Sequence, residues 1–159
     1  KSKHMKKIEF KEHIKASPKV VYETMLGLND IATYEQWTAK FNPTSTYEGS
    51  WKKGEKMYFT GTDENGKRGG MISEIAENKP YEFVSIRHYG ILDGDNEITS
   101  GEQVDNWAGS LENYSFQESN GITTVKVEMD TMDDYIDYFK ESWPKALNIL
   151  KKIAENKSS

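Results

Sequence analysis

Metal binding, nucleophilic catalysis and acid–base chemistry each need particular side chains at particular spacings, and this chain supplies few of them. His13 and His88 are the histidines of the chain body, and neither stands at the i, i+4 spacing of a helical metal pair or beside a cysteine. Cysteine is absent, which removes disulfides, thiolate metal sites and cysteine nucleophiles. No Gly-x-Ser-x-Gly elbow occurs, and Gly69-Gly70 precedes Met71 rather than the lysine and threonine of a phosphate loop, so the glycine pair reads as a turn. Among the carboxylates, Glu74 and Glu112 are presumed strand neighbours. With Arg87 and Tyr89 they are the candidates for an acid–base pair. No metal, no cofactor and no catalysis are expected.

Aromatic residues give the stronger signal, with 4 Trp, 9 Tyr and 6 Phe. Trp37, Phe59 (or its neighbour Tyr58), Trp107, Tyr114 and Phe116 fall on patterns that should face one apolar space, as do Tyr135, Phe139 and Trp143 near the carboxyl end. Singly, each is most simply a core residue; together they suit the wall of a small-molecule pocket, which needs only a few placed polar groups. Residues 81–89 are the strand that would supply those groups. If Phe83 faces inward, alternation sends Ser85, Arg87 and Tyr89 inward and Val84, Ile86 and His88 outward. The opposite parity buries the more apolar set, so the local pattern leaves both open.

These side chains must be positioned by elements whose order is readable. Residues 6–15 alternate Ile8, Phe10, Glu12 and Ile14 against charged partners, as a strand with one buried face does. Ser17 then caps a helix with Pro18 at its first position, running to about Leu26 and stopped by Gly27; Asp30 caps a second short helix carrying Tyr34 and Trp37 at i and i+3. Six strands follow at 45–48, 56–62, 70–76, 81–89, 108–118 and 122–131, separated by turn residues. Residues 90–107 break the rhythm and read as a long loop with a piece of strand. From residue 132 to about 155 apolar side chains recur at three- and four-residue steps, a long amphipathic helix. Thr131 and Asp134 resemble its capping box, and Pro144 should bend it near residues 141–145.

At 159 residues the chain is expected to form one domain. Lys1 to His4 precede an initiator-like Met5 and read as vector-derived, leaving 5–159 as the domain. The net charge of −5 is spread among interspersed Lys and Glu, which predicts a solvated surface without affinity for nucleic acid. No apolar run is long enough to span a bilayer and no signal peptide is visible, so a cytoplasmic location without membrane insertion is expected.

Strand, two helices, six strands and a long terminal helix is the order of the helix-grip fold. The chain resembles the START-like SRPBCC superfamily, in particular the subfamily of activators of the heat-shock-protein ATPase. The resemblance rests on ASPKVVYETML at 16–26, Tyr34 to Trp37, EGSWKKGEKM at 48–57, GGMISEIAENKPYEFVS at 69–85, ENYSFQESNGITTVKVEM at 112–129 and WPKALNILKK at 143–152. It implies an α+β domain in which a seven-stranded antiparallel sheet grips the last helix, with the helix pair closing one end of a cavity. In the resembling family the position of Phe83 is inward, which brings Arg87 into the pocket with Glu112 as its partner. The implied function is non-enzymatic binding of a small hydrophobic or amphiphilic molecule. A chaperone-regulating interaction module and a cyclase- or hydratase-like enzyme are the alternatives, because the superfamily includes all three.

Overall fold

Ser17 accepts a hydrogen bond from the Val20 amide at 3.2 Å and Pro18 opens helix α1 (Pro18–Leu26). Gly27, at φ 69°, ends it in the left-handed conformation that a residue without a β-carbon takes at least cost. Asp30 accepts from the Ala32 amide at 3.0 Å and starts α2 (Ile31–Thr38). The computed structural model describes residues 5–158, so the reading of Lys1 to His4 lies outside the described residues. Around this helix pair the strands are β1 (Met5–Ile14), β2 (Thr46–Gly49), β3 (Lys56–Thr62), β4 (Arg68–Lys79), β5 (Phe83–Asp93), β6 (Asn96–Ile98), β7 (Ser110–Ser119) and β8 (Ile122–Met132). A 3-10 turn at Asp133–Tyr135 leads into the long helix α3 (Ile136–Ser158).

The strands form one antiparallel sheet in the order β1-β8-β7-β5-β4-β3-β2, with β6 paired to β5 off this path. This is the expected helix-grip architecture. The core lies between the sheet and the helices, where Trp37, Trp143, Leu147 and Leu150 meet Val84, Ile86, Val125 and Val127. Tyr47 of β2 donates to the Leu26 carbonyl at 2.7 Å, and Thr46 donates to Glu35 at 2.6 Å, which pins the helix pair to the sheet edge.

Two irregularities set which residues face the core. Ser73 pairs with His88 while Ile72 pairs with Gly90, so Tyr89 is an extra residue in β5; Ile75 pairs with Ile86 and Glu77 with Ser85, so Ala76 is an extra residue in β4. Such bulges shift the phase of alternation by one residue. Before the first of them, Val84, Ile86 and His88 point inward.

Several expectations change. Gly69 and Gly70 lie inside β4, paired with Gly61 and Thr60, and form no turn. A β-carbon on Gly70 would sit 1.9 Å from the Phe59 carbonyl oxygen, so the strands approach too closely there for any side chain. Thr131 is buried in β8, paired with Lys6, and caps nothing; the helical run begins with Met132 at the cap position and no side-chain hydrogen bond. Pro144 does lie inside α3, as the sequence places it, and on the exposed side, where the carbonyl it deprives of a donor can turn to water. Residues 94–109 are, as expected, a loop with a piece of strand, and they run along the edge of β5 beyond its pairing with β7. β6 pairs there, Gly109 donates to the His88 carbonyl at 2.8 Å, and Val104 is fully buried.

Candidate functional site

Trp37 is fixed on α2 by its indole N–H, which donates to the Met25 carbonyl at 2.9 Å. Trp143 reaches in from α3 with its N–H directed at the sulfur of Met129, 3.2 Å away. Their ring centroids are 5.5 Å apart, and Phe41 meets Trp143 edge-on at 5.0 Å. Beside this cluster opens a cleft of about 290 Å³ walled by Tyr34, Trp37, Phe41, Tyr138, Phe139 and Trp143. A second cleft of about 260 Å³ runs along the sheet past Phe59, Met71, Ile86 and His88. Tyr34, Glu112, Tyr114 and Phe139 line both, so the two adjoin at the carboxylate.

The polar groups at that junction form a chain. Ser73 Oγ lies 2.6 Å from His88 Nδ1, His88 Nε2 lies 2.9 Å from Glu112 Oε1, and the Tyr114 hydroxyl donates to Glu112 Oε2 at 2.5 Å. Glu112 therefore has a donor on each oxygen while its side chain keeps 17% exposure. Burial works against its charged form. The His88 hydrogen bond, the His88 charge and the Tyr114 hydroxyl outweigh that and hold the carboxyl below the usual range. Tyr114 and Tyr34 move the other way: burial first, then the nearby Glu112 charge, pushes both phenols well up, so both stay protonated donors. Ser73 is fully buried and faces Nδ1, so it orients the imidazole and is out of reach as a nucleophile. The arrangement offers an apolar aromatic space with one carboxylate at its inner end.

Of the residues singled out from sequence, Trp37, Phe59, Glu112, Tyr114, Phe139 and Trp143 line these clefts. Arg87 and Tyr89 do not: Arg87 pairs with Glu74 at 2.7 Å, with both side chains 39% exposed, and lies over the Tyr89 ring on the outer face. The physical reason is that Val84 and Ile86 enter the core, which forces Arg87 out and His88 in. Glu112 is thus inward, and its partner is His88. Tyr135 is 55% exposed in the 3-10 turn, because the helix starts later than its periodicity suggests. Trp107 lies in the turns before β7, where its N–H donates to the Gln103 carbonyl at 2.7 Å. Phe116 is buried further along β7 against Tyr22, 5.6 Å between ring centroids, and reaches neither cleft.

His88 and Phe41, which line the clefts, and Ser73, which holds the His88 ring, are the residues that sequence reasoning did not single out. The more apolar alternation of Val84 and Ile86 carried the signal for His88; Tyr34, three residues before Trp37, carried its own. Among the described residues, no group of three or more His, Cys, Asp or Glu comes together to hold a metal. No helix among them is long and apolar enough to cross a membrane.

No family model matches the chain, and no curated protein matches it in sequence. Solved structures do. A protein of Nitrosomonas europaea superposes with a TM-score of 0.69 at 12% identity over 95% of each chain. The Aha1 dimer from Colwellia psychrerythraea gives 0.67 at 19% identity, covering 94% of this chain and 96% of its own. CalU16 from Micromonospora echinospora gives 0.62 at 14% identity, covering 94% of this chain and 76% of its own. At such identities the likeness speaks for the fold alone.

Proposed function

We propose that the protein is a non-catalytic binding domain for a small hydrophobic or amphiphilic molecule, held between the sheet and α3. The observation that supports this is the pair of adjoining clefts, walled by aromatic and aliphatic side chains and given a single polar end by His88 and Glu112. Ligand sites commonly combine an apolar wall with a few convergent polar groups, and each cleft stands near the low end of their usual volume of about 300–1,000 Å³. The occupant is therefore small. Native mass spectrometry of the full chain purified from its own host should show a bound small molecule; protein that is always free, and unchanged in melting temperature by a panel of small amphiphiles, would dispose of the proposal. A ligand present at about 100 times its dissociation constant stabilises by roughly 2.7 kcal/mol, a shift of several degrees.

The likeness to the Aha1 dimer over 94% of this chain favours a second reading, an interaction domain that regulates a chaperone ATPase, in keeping with the subfamily that the sequence resembles. Adding the protein to the chaperone of its host should then change the ATPase rate. An unchanged rate without co-elution would remove this reading and leave the first intact.

A further inference from the structure

The sign of the charge in the clefts names a class of ligand, and this inference rests on the proposed function for there being a bound molecule. Glu112 and His88 are the only Asp, Glu, His, Lys or Arg side chains among the residues that line the two clefts. Cations on the neighbouring strands have carboxylate partners of their own: Arg87 pairs with Glu74, Lys56 with Glu97 and Arg68 with Glu48. Glu112 is therefore held by His88 and the Tyr114 hydroxyl rather than by an arginine or lysine. Each of its oxygens accepts one bond, from His88 at 2.9 Å or Tyr114 at 2.5 Å. A carboxylate oxygen has room for two, so each retains acceptor capacity.

The walls add to this preference. Tyr34 and Trp37 are 5.6 Å apart, Trp37 and Trp143 5.5 Å, and Trp143 and Phe41 5.0 Å between centroids, a continuous aromatic lining that ends at the carboxylate. Aromatic faces carry negative potential and attract cations, and do so more strongly where water is displaced. A carboxylate-bearing ligand would meet Glu112 with no arginine or lysine to receive it, since both ring nitrogens of His88 are already engaged by Ser73 and Glu112.

We propose that the cleft takes an organic ammonium ion carrying a small apolar group, with the positive centre toward Glu112 and the apolar group among Trp37, Phe41 and Trp143. Two features of the site act on one ligand: the carboxylate selects its charge, and the aromatic wall selects its shape and apolarity.

The test compares benzyltrimethylammonium with its uncharged isostere neopentylbenzene and with phenylacetate, using the full chain at neutral pH. Binding is read from tryptophan fluorescence and ligand-observed NMR. The cation is expected to bind at least about tenfold more tightly than the isostere, about 1.4 kcal/mol, with phenylacetate weakest. In Glu112→Gln, which keeps the shape and one acceptor, the two shape-matched probes should bind within about threefold of each other. Should the Gln variant fail to fold, the preference within the natural protein decides alone. Equal or tighter binding of neopentylbenzene or phenylacetate overturns the ammonium inference and leaves the binding domain standing. No response to any of the three overturns both.

Discussion

Arg87 and His88 are adjacent in the chain and lie on opposite faces of β5, so their deletion should have very different costs. The Arg87–Glu74 pair has both side chains 39% exposed, and exposed pairs of this kind contribute roughly 0–1 kcal/mol. Arg87→Met should therefore change urea-unfolding stability by less than about 1 kcal/mol and show no coupling to Glu112→Gln. His88→Leu removes a donor from a largely buried carboxylate, and a double-mutant cycle with Glu112→Gln should give a coupling of roughly 1.5–3 kcal/mol. Additive losses at His88 would mean that water replaces its hydrogen bond. The same carboxylate predicts a pH dependence. Its folded value lies below its unfolded one, so its stabilisation is complete above the ordinary carboxylate value of about 4.3 and is lost as pH falls through the lower folded value. Between those limits the stability of the natural protein relative to Glu112→Gln should rise with pH; a flat difference would contradict the shift. Glu112 itself was legible as inward from its alternation with Tyr114 and Phe116. Its partner was not, because alternation in β5 is nearly balanced and the family's placement of Phe83 turns the strand over. The Tyr89 bulge, which a period-of-two reading has no means to place, hid the change of phase beyond it.

At the level of elements, sequence signals were reliable where local chemistry alone decides. Ser17, Pro18 and Gly27 bound α1, and Asp30 opens α2, because caps act within one turn of chain. They failed where tertiary pairing competes. Thr131 followed by Asp134 has the look of a cap, yet β8 pairs with β1 through Met132 and holds that threonine in the sheet. Gly69-Gly70 looked like a turn for the same reason: nothing local reveals that the Phe59 carbonyl occupies the place of a side chain. Gly70→Ala should therefore destabilise by more than about 3 kcal/mol in urea melts, since a backbone contact cannot rotate away. A loss under about 1 kcal/mol would show that β3 and β4 part easily. Pro144→Ala restores a donor on the exposed side of α3 and should raise stability by roughly 1–3 kcal/mol. If stability falls instead, the ring contributes packing that outweighs the lost hydrogen bond.

For the whole molecule, the order of elements and the run of sequential antiparallel hairpins were readable, but the pairing of β1 was not. β1 and β2 follow each other in the strand series and end on opposite edges of the sheet, joined across its width by α1 and α2. β1 instead pairs over its full length with β8, Met5 opposite Met132 and Ile14 opposite Thr123. Helix α3 then runs back over β1, bringing Glu155 to the Lys15 amide at 2.9 Å and Lys151 to the His13 carbonyl at 2.9 Å. The two ends of the described chain thus stand at opposite ends of one strand. Mechanical tension applied through those ends pulls β1 lengthwise against β8, across the direction of its hydrogen bonds, so the ladder shares the load and must rupture together. Tension applied at the Ile14 end of β1 and at the neighbouring β7–β8 turn would peel the same bonds one at a time. Because the chain contains no cysteine, handles can be placed at either pair of positions, and single-molecule extension should find a markedly higher rupture force in the first geometry than in the second.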